Sequence, residues 1–296
     1  MNKARPAPSA AKTVERLAEF LATRPRLFVL TGAGISTGSG IPAYRDSDGE
    51  WRRPRPVQLH DFLASHRTRQ RYWARSLVGW PAFEQASPNA CHAALADWER
   101  SGLVAQLVTQ NVDRLHQAAG ARRVIDLHGR LDRVRCLDCK RRFARQPFQQ
   151  RLQALNPGYA GLRAPAGPDG DAYLDGLPFD DVVVPECTRC GGTLKPDVVF
   201  FGETIPRRVV DASIAALDAA DALLVIGSSL MVYSGFRFCR LAAEQRKPIV
   251  AITPGRTRAD DLLTLKVNAR FEDALHLLGA DRVTRDRPDD PRRSSR

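Results

Sequence analysis

A chain of 296 residues lies near the size at which one core stops growing and a second module splits off. Hydrophobic residues make up 43% of it, the net charge is +12, and only six of the 45 basic residues are Lys. No run of about 18 apolar residues free of charge occurs, so no membrane-spanning helix is expected. The arginine excess reads as solvated faces, and attraction to phosphates or acidic partners is the functional alternative. Its densest clusters are "RRPR" (Arg52–Arg55) and "CKRRFAR" (Cys139–Arg145). Neither has the interleaved aromatics that stack bases, so nucleic acid is not expected as the main ligand.

The first residues lack the apolar stretch of a secretory signal. They are basic, with no acid before Glu15, as in a transit peptide, but a helical stripe of Val14, Leu17, Ala18 and Leu21 already runs through Ala11–Arg24. A cytoplasmic protein is expected, with a mitochondrial one as the alternative.

"RLFVL" (Arg26–Leu30) reads as a buried strand, followed by the glycine-rich "TGAGIS". Pro88–Gly102 reads as a helix with a Gly stop, Gly102–Val108 as a strand, and "RRVIDLHG" holds another short one. Arg130–Lys195 changes character, being rich in Arg, Gly and Pro, and Asn156–Pro178 reads as a long loop. Order returns at Lys195–Glu203. A helix (Arg207–Ala220), a strand (Asp221–Gly227), a helix (Gly235–Arg246), a strand (Pro248–Thr253) and a closing helix (Arg270–Gly279) then follow.

Short apolar strands alternating with helices predict an α/β fold, a doubly wound parallel Rossmann-like sheet with a smaller inserted module. We expect the sheet domain over 12–45, 89–130 and 196–279, and a helical segment for a cofactor loop and acyl pocket over 46–88. The insert is expected over 131–195 and a charged tail over 280–296. Ligands of such sheets bind at the carboxyl ends of the strands, where "TGAGIS", "TQNVD" and "GSS" fall.

In "TGAGISTGSGIPAYRD" (Thr31–Asp46), Gly32 and Gly34 allow close approach of a pyrophosphate, but Thr37 stands where a third dinucleotide-binding glycine would be. No second strand ending in an acidic residue follows. The loop therefore points to dinucleotide binding in an unusual arrangement, with a plain turn as the alternative.

Four of the six cysteines form two Cys-x-x-Cys pairs, Cys136/Cys139 and Cys187/Cys190. Four thiolates make a closed tetrahedral zinc site, which is structural rather than catalytic. The 47 residues between the pairs exceed the usual ribbon spacing, and a redox pair is the rival reading. Cys91 and Cys239 sit in helical patterns and read as buried and inert. Of the histidines, His116 reads as a packed or capping residue. His128 follows a strand directly and is the better candidate for chemistry. His60, His66, His92 and His276 have no metal-ligand spacing.

With "GAGIS", "GIPAYRD", "TQNVDRLHQAAG", "LHG", the two cysteine pairs, "KPDVVFFGE" and "GSSL" in order, residues 12–279 resemble the sirtuins, NAD-dependent protein-lysine deacylases. The stretches Thr68–Phe83, "LNPGYAGLRAPAGPDGD" and Leu230–Phe238 look most like the class II, lipoamidase-type branch. The resemblance implies NAD as co-substrate, one structural Zn2+ and acylated lysine side chains as partners. It implies a pyrophosphate-binding loop of Gly32, Ala33, Gly34 and Ser36 with Arg45 and Asp46. Gln110 would meet the nicotinamide-side ribose, and Asn111, Val112 and Asp113 would form the nicotinamide pocket. Gly227, Ser228 and Ser229, with Thr253, Pro254, Gly255 and Phe271, would hold the adenosine side. His128 would be the general base. Tyr72, Arg75, Phe201, Gly202 and Val232 would contact substrate, "FFGE" and "LMVYS" pairing with the peptide as two open strand edges.

Two positions depart from the family pattern. Thr253 stands where most sirtuins have Asn, and Ser234 where the family usually has Pro. The implied chemistry releases nicotinamide as the acyl oxygen of the substrate lysine attacks the ribose, and a neutral His then takes a ribose hydroxyl proton. The acyl group stays open among acetyl, lipoyl- or biotinyl-type and glutaryl-type. The Tyr72-x-x-Arg75 spacing would select an acidic one if Arg75 gripped it. The competing readings are a mono-ADP-ribosyltransferase or NAD hydrolase, and a non-catalytic zinc-containing binding protein.

Overall fold

The computed structural model describes residues 10–23, 26–52, 56–174 and 176–279. The expected tail 280–296 and residues 53–55 of the first arginine cluster lie outside the described residues.

The main sheet is built from β1 (Leu27–Thr31), β2 (Val104–Thr109) and β3 (Val124–Asp126). A smaller sheet follows in β4 (Gly129–Cys136), β5 (Arg142–Ala144) and β6 (Leu194–Val198). The chain then returns to the main sheet with β7 (Ala222–Ile226), β8 (Ile249–Ile252) and β9 (Leu265–Val267). The six-stranded order is β3-β2-β1-β7-β8-β9 and every pairing in it is parallel. The order reverses between β1 and β7, so the loops after β1, β2 and β7 open on one crevice.

All five residues of β1 and of β7 are buried, as expected of parallel strands covered on both faces. Alternate side chains supply two cores. On one face Leu27, Val29 and Leu224 meet α1 (Ala10–Thr23) and α4 (Ala90–Arg100) through Leu17, Leu95 and Trp98. On the other, Phe28, Leu30 and Val225 meet Leu217, Phe238 and Ala242 of later helices. Asn89 starts α4 with a capping box: its side chain accepts from the His92 amide, and His92 Nδ1 accepts from the Asn89 amide.

Between β1 and α4 lie α2 (Leu59–Ala64) and α3 (His66–Glu84). They share one core with the β4–β6 sheet and with α6 (Arg145–Leu155), which follows the short α5 (Leu115–Ala118) in helix order. Phe62, Tyr72 and Trp73 pack there against Val134, Phe148, Leu194 and Phe200. The stretch read as a long loop holds one short helix, α7 (Pro157–Ala160), and is otherwise irregular. Its turn at Gly170 presses on α3, where a Cβ at Gly79 would stand 2.2 Å from the Gly170 carbonyl. Three helices close the chain: α8 (Arg207–Asp218), α9 (Tyr233–Glu244) and α10 (Phe271–Leu278).

Candidate active site

Three strand ends meet in one network. Gly32 and Gly34 follow β1, and a short 3-10 helix runs over Ala33–Ser39. The Gly34 amide donates to the Gly227 carbonyl beyond β7 at 2.8 Å, and a Cβ on Gly34 would stand 2.8 Å from that oxygen. The glycine is therefore required by close backbone approach. After β2, the Gln110 amide donates to the Thr31 carbonyl at 3.0 Å, and its side-chain Nε2 donates to Ser228 Oγ at 2.8 Å. Asn111 Nδ2 donates to the Gly32 carbonyl at 3.2 Å and to Ser36 Oγ at 3.0 Å. Ser36 in turn donates to Asp113 Oδ2 at 2.7 Å.

This network walls a cavity of about 680 Å³. Gly32, Ala33, Gly34, Gln110, Asn111 and Val112 line it, with His128. Gly227, Ser228, Ser229, Thr253, Pro254 and Phe271 line another part. Arg45 and Asp46 enter from the segment after the glycine loop. Arg45 stacks its guanidinium 4.0 Å from the Trp51 ring centre and donates to the Gly49 carbonyl at 2.6 Å. Asp46 Oδ1 accepts from the Asp48 and Glu50 amides, closing the turn. Tyr72, Phe201, Gly202 and Val232 also line the cavity.

Ser36, Asp113 and Gly255 do not line it. Ser36 and Asp113 brace the glycine loop from behind, and burial raises the Asp113 carboxyl above its ordinary range. Gly255 packs its bare Cα against Ser47, where a Cβ would lie 2.0 Å from the carbonyl oxygen. Sequence reasoning missed Trp51, Asp169, Ser234 and Arg270 on the wall. Of these only Ser234 carried a signal, as a departure from the family pattern. A loop lined by glycines, offering backbone without side-chain bulk, suits a pyrophosphate.

His128 sits at the junction. Its Nδ1 lies 3.0 Å from the Gln110 carbonyl, which can only accept, so Nδ1 carries the proton. Nε2 is then the acceptor, and Ser234 Oγ donates to it at 2.8 Å. Burial pushes His128 down to about 4, while the Gln110 carbonyl opposes the shift. The ring is a neutral base at neutral pH. His116 is structural, as its sequence context indicated. It is buried, its Nε2 stands 2.9 Å from Thr31 Oγ1, and its ring packs 4.8 Å from that of His92.

Two expectations are corrected. Arg75 does not line the cavity: its Nε donates to the Ala172 carbonyl at 2.9 Å, and the Ala172 amide donates back to the Arg75 carbonyl. Burial raises the Asp169 and Asp171 carboxyls above their ordinary range, and the positive charge of Arg75 opposes that rise. "FFGE" and, from "LMVYS", Leu230, Met231, Val232 and Ser234 line the cavity, but neither segment forms a regular strand. Phe201 makes a single parallel bridge with Gln58, Gly202 turns the chain at φ +77, Leu230 turns it at φ +58, and α9 begins at Tyr233. Left-handed backbone at these positions breaks the extended run.

The second arginine cluster is divided, with Lys140, Arg141 and Arg142 exposed and Arg145 inside the core. Arg145 is buried, donates to the Ser76 carbonyl at 3.2 Å and lies 4.9 Å from the Trp80 ring centre. Arg142 pairs with Asp197 at 2.8 Å.

The sulfurs of Cys136, Cys139, Cys187 and Cys190 all lie within 4.8 Å of one another. Cys136 and Cys190 approach to 3.6 Å, and Cys139 and Cys187 to 3.8 Å. Four converging thiols suit a closed structural zinc site. Cys91 and Cys239 are buried, and burial raises them to about 11 and about 12, so they stay thiols.

Two expected outcomes follow from this geometry. The purified chain should carry one zinc, and Cys187→Ala should abolish it and lower the thermal midpoint. Metal analysis and calorimetry check this, since such a site contributes on the order of 10 kcal/mol. Stability should also fall as pH drops below about 6.5, the ordinary imidazole value. Burial lowers His92 and His128 to about 4 and His116 well below its usual value. The folded state then binds fewer protons than the unfolded one between those values and about 6.5. Urea midpoints at pH 7.5 and pH 5 measure the loss.

The Sir2 family model matches residues 32–234. The chain is 60% identical to an NAD-dependent protein deacetylase of Xanthomonas campestris over 90% of its own length and 91% of that protein. It is 48% identical to the mitochondrial NAD-dependent protein lipoamidase sirtuin-4 of Bos taurus, over 92% and 87%. Among solved structures, a Sir2 protein with a p53 peptide and NAD+ superposes with a TM-score of 0.73 at 30% identity, covering 90% of this chain and 98% of the other. Another, with a deacetylated p53 peptide and 3'-O-acetyl-ADP-ribose, gives 0.74 at 29% identity over 90% and 99%. The glycine loop, the histidine at the strand junction and the four-cysteine cluster thus stand in a chain that belongs to the Sir2 family, the sirtuins.

Proposed function

We propose that this chain is an NAD-dependent protein-lysine deacylase that yields nicotinamide, O-acyl-ADP-ribose and free lysine. The observation that carries the reading is a neutral, singly oriented imidazole, His128, on the wall of the cavity that the glycine loop also lines. NAD supplies the leaving group and the ADP-ribose acceptor.

The chain's residues would do the rest. Gly32, Ala33 and Gly34 would seat the pyrophosphate, with Arg45 adding charge. Gly227, Ser228, Ser229, Thr253, Pro254 and Phe271 would hold the adenosine side. Asn111, fixed by Gly32 and Ser36, would hold the nicotinamide amide, and Asp113 would keep Ser36 in place. His128 Nε2 would take the proton of a ribose hydroxyl once nicotinamide has left. A base already neutral at pH 7 needs no prior deprotonation. Phe201, Gly202 and Val232 would flank the acyl-lysine.

The cytoplasm is the expected compartment, since four thiols free for a metal suit a reducing environment.

His128→Ala should lower deacylation about 10²- to 10⁴-fold while NAD still binds. Quantifying O-acyl-ADP-ribose and free lysine by mass spectrometry checks it. Nicotinamide release without either product would favour NAD hydrolysis or ADP-ribosyl transfer instead.

For the acyl group, Arg75 lies outside the cavity lining, and its Nε is engaged by the Ala172 carbonyl. Arg75→Met should therefore depress turnover of acetyl- and glutaryl-lysine peptides alike. A selective loss on glutaryl-lysine would restore the acid-binding role.

A further inference from the structure

The base nitrogen of His128 is not open. Ser234 Oγ stands 2.8 Å from Nε2, and both residues line the cavity. With Nδ1–H committed to the Gln110 carbonyl, the Ser234 hydroxyl must donate to Nε2, which leaves the serine's oxygen lone pairs to accept from a third group. The placement is built into the local sequence. Ser234 lies in the first turn of α9, next to Gly235, and a Cβ on Gly235 would stand 2.6 Å from Gln110 Oε1. The missing side chain lets the start of α9 lie against Gln110, the residue that orients His128. Leu230, in the left-handed region at φ +58, redirects the chain just before this turn. A proline at position 234 could offer neither a hydroxyl nor any other donor.

We propose that Ser234 is a proton relay between the substrate and the base. The inference rests on the deacylase reading. In the step after nicotinamide leaves, the hydroxyl of the nicotinamide-side ribose gives its proton to Ser234 Oγ as Ser234 gives its own to His128 Nε2. One sugar O–H bond breaks, the serine O–H is exchanged, and one N–H bond forms. The electron pair left on the sugar oxygen attacks the acyl carbon. The imidazolium later returns its proton to the departing lysine amine.

The test uses the full-length zinc-loaded protein, NAD and an acetyl-lysine peptide, with two readouts. Exchange of labelled nicotinamide into NAD reports bond cleavage, and O-acetyl-ADP-ribose reports the proton-dependent transfer. Ser234→Ala should lower O-acetyl-ADP-ribose formation roughly tenfold to a hundredfold and leave exchange within about threefold. Ser234→Thr, which keeps the hydroxyl, should recover most of the loss. In mixtures of H2O and D2O, single-turnover product formation by the unaltered protein should fall along a curve, the sign of two protons moving together. Ser234→Ala at full speed would overturn the relay, because the serine would then be a cap that substrate displaces. Equal loss of exchange and product would also overturn it, since a relay acts only after cleavage. If the unaltered protein shows neither exchange nor product with acetyl-, lipoyl-, biotinyl- and glutaryl-lysine peptides alike, the deacylase reading falls, and the relay with it.

Discussion

The site depends on one residue that bonds in three directions. Gln110 receives the end of β1 through its amide, reaches the end of β7 through its side chain, and accepts the His128 Nδ1 proton on its carbonyl. The backbone carbonyl cannot donate, so the imidazole has a single tautomer and one basic nitrogen, aimed at the dinucleotide cavity. Replacing the side chain would loosen the cradle, but the tautomer is set by main chain and is independent of residue type. Gln110 directly follows β2, which is paired on both sides within the parallel sheet, so its carbonyl is held by the strand before it.

The second constraint is the smaller module. Its three strands and the helices α2, α3 and α6 share a core that holds buried charge, including Arg145 and Lys195. Lys195 is paired with Glu203 at 2.9 Å. That pairing anchors the end of the segment carrying Phe201 and Gly202, so the module's interior reaches the cavity wall. A zinc tying β4 to the Cys187–Cys190 turn would stiffen the far end of the same sheet. The metal in this account supports the site without touching it.

Much of this was legible in the sequence, and the reason is physical. Parallel strands buried on both faces must be short apolar runs, and the turns at their carboxyl ends must be small and polar. "RLFVL–TGAG", "LVT–QN" and "LLVIG–SS" satisfy both demands, and two Cys-x-x-Cys pairs leave few alternatives to a metal. His116 and His128 were separable because one sits inside a helical turn and the other directly after a strand. What stayed hidden depends on contacts remote in sequence. The capture of Arg75 by Ala172 spans 97 positions, and the approach of Ser234 to His128 spans 106. Nor does a run of apolar residues reveal left-handed turns at Leu230 and Gly202, which is why "LMVYS" and "FFGE" read as strand edges.

The central claim is that His128 stands neutral, with its proton on Nδ1 and its lone pair on Nε2. Nitrogen-15 NMR of the imidazole, with His128 assigned by substitution, measures it directly. A neutral Nδ1–H ring at pH 7 that remains neutral at pH 5 agrees with a group held near 4 by burial. A ring protonated at pH 7, or one carrying its proton on Nε2, would contradict the account.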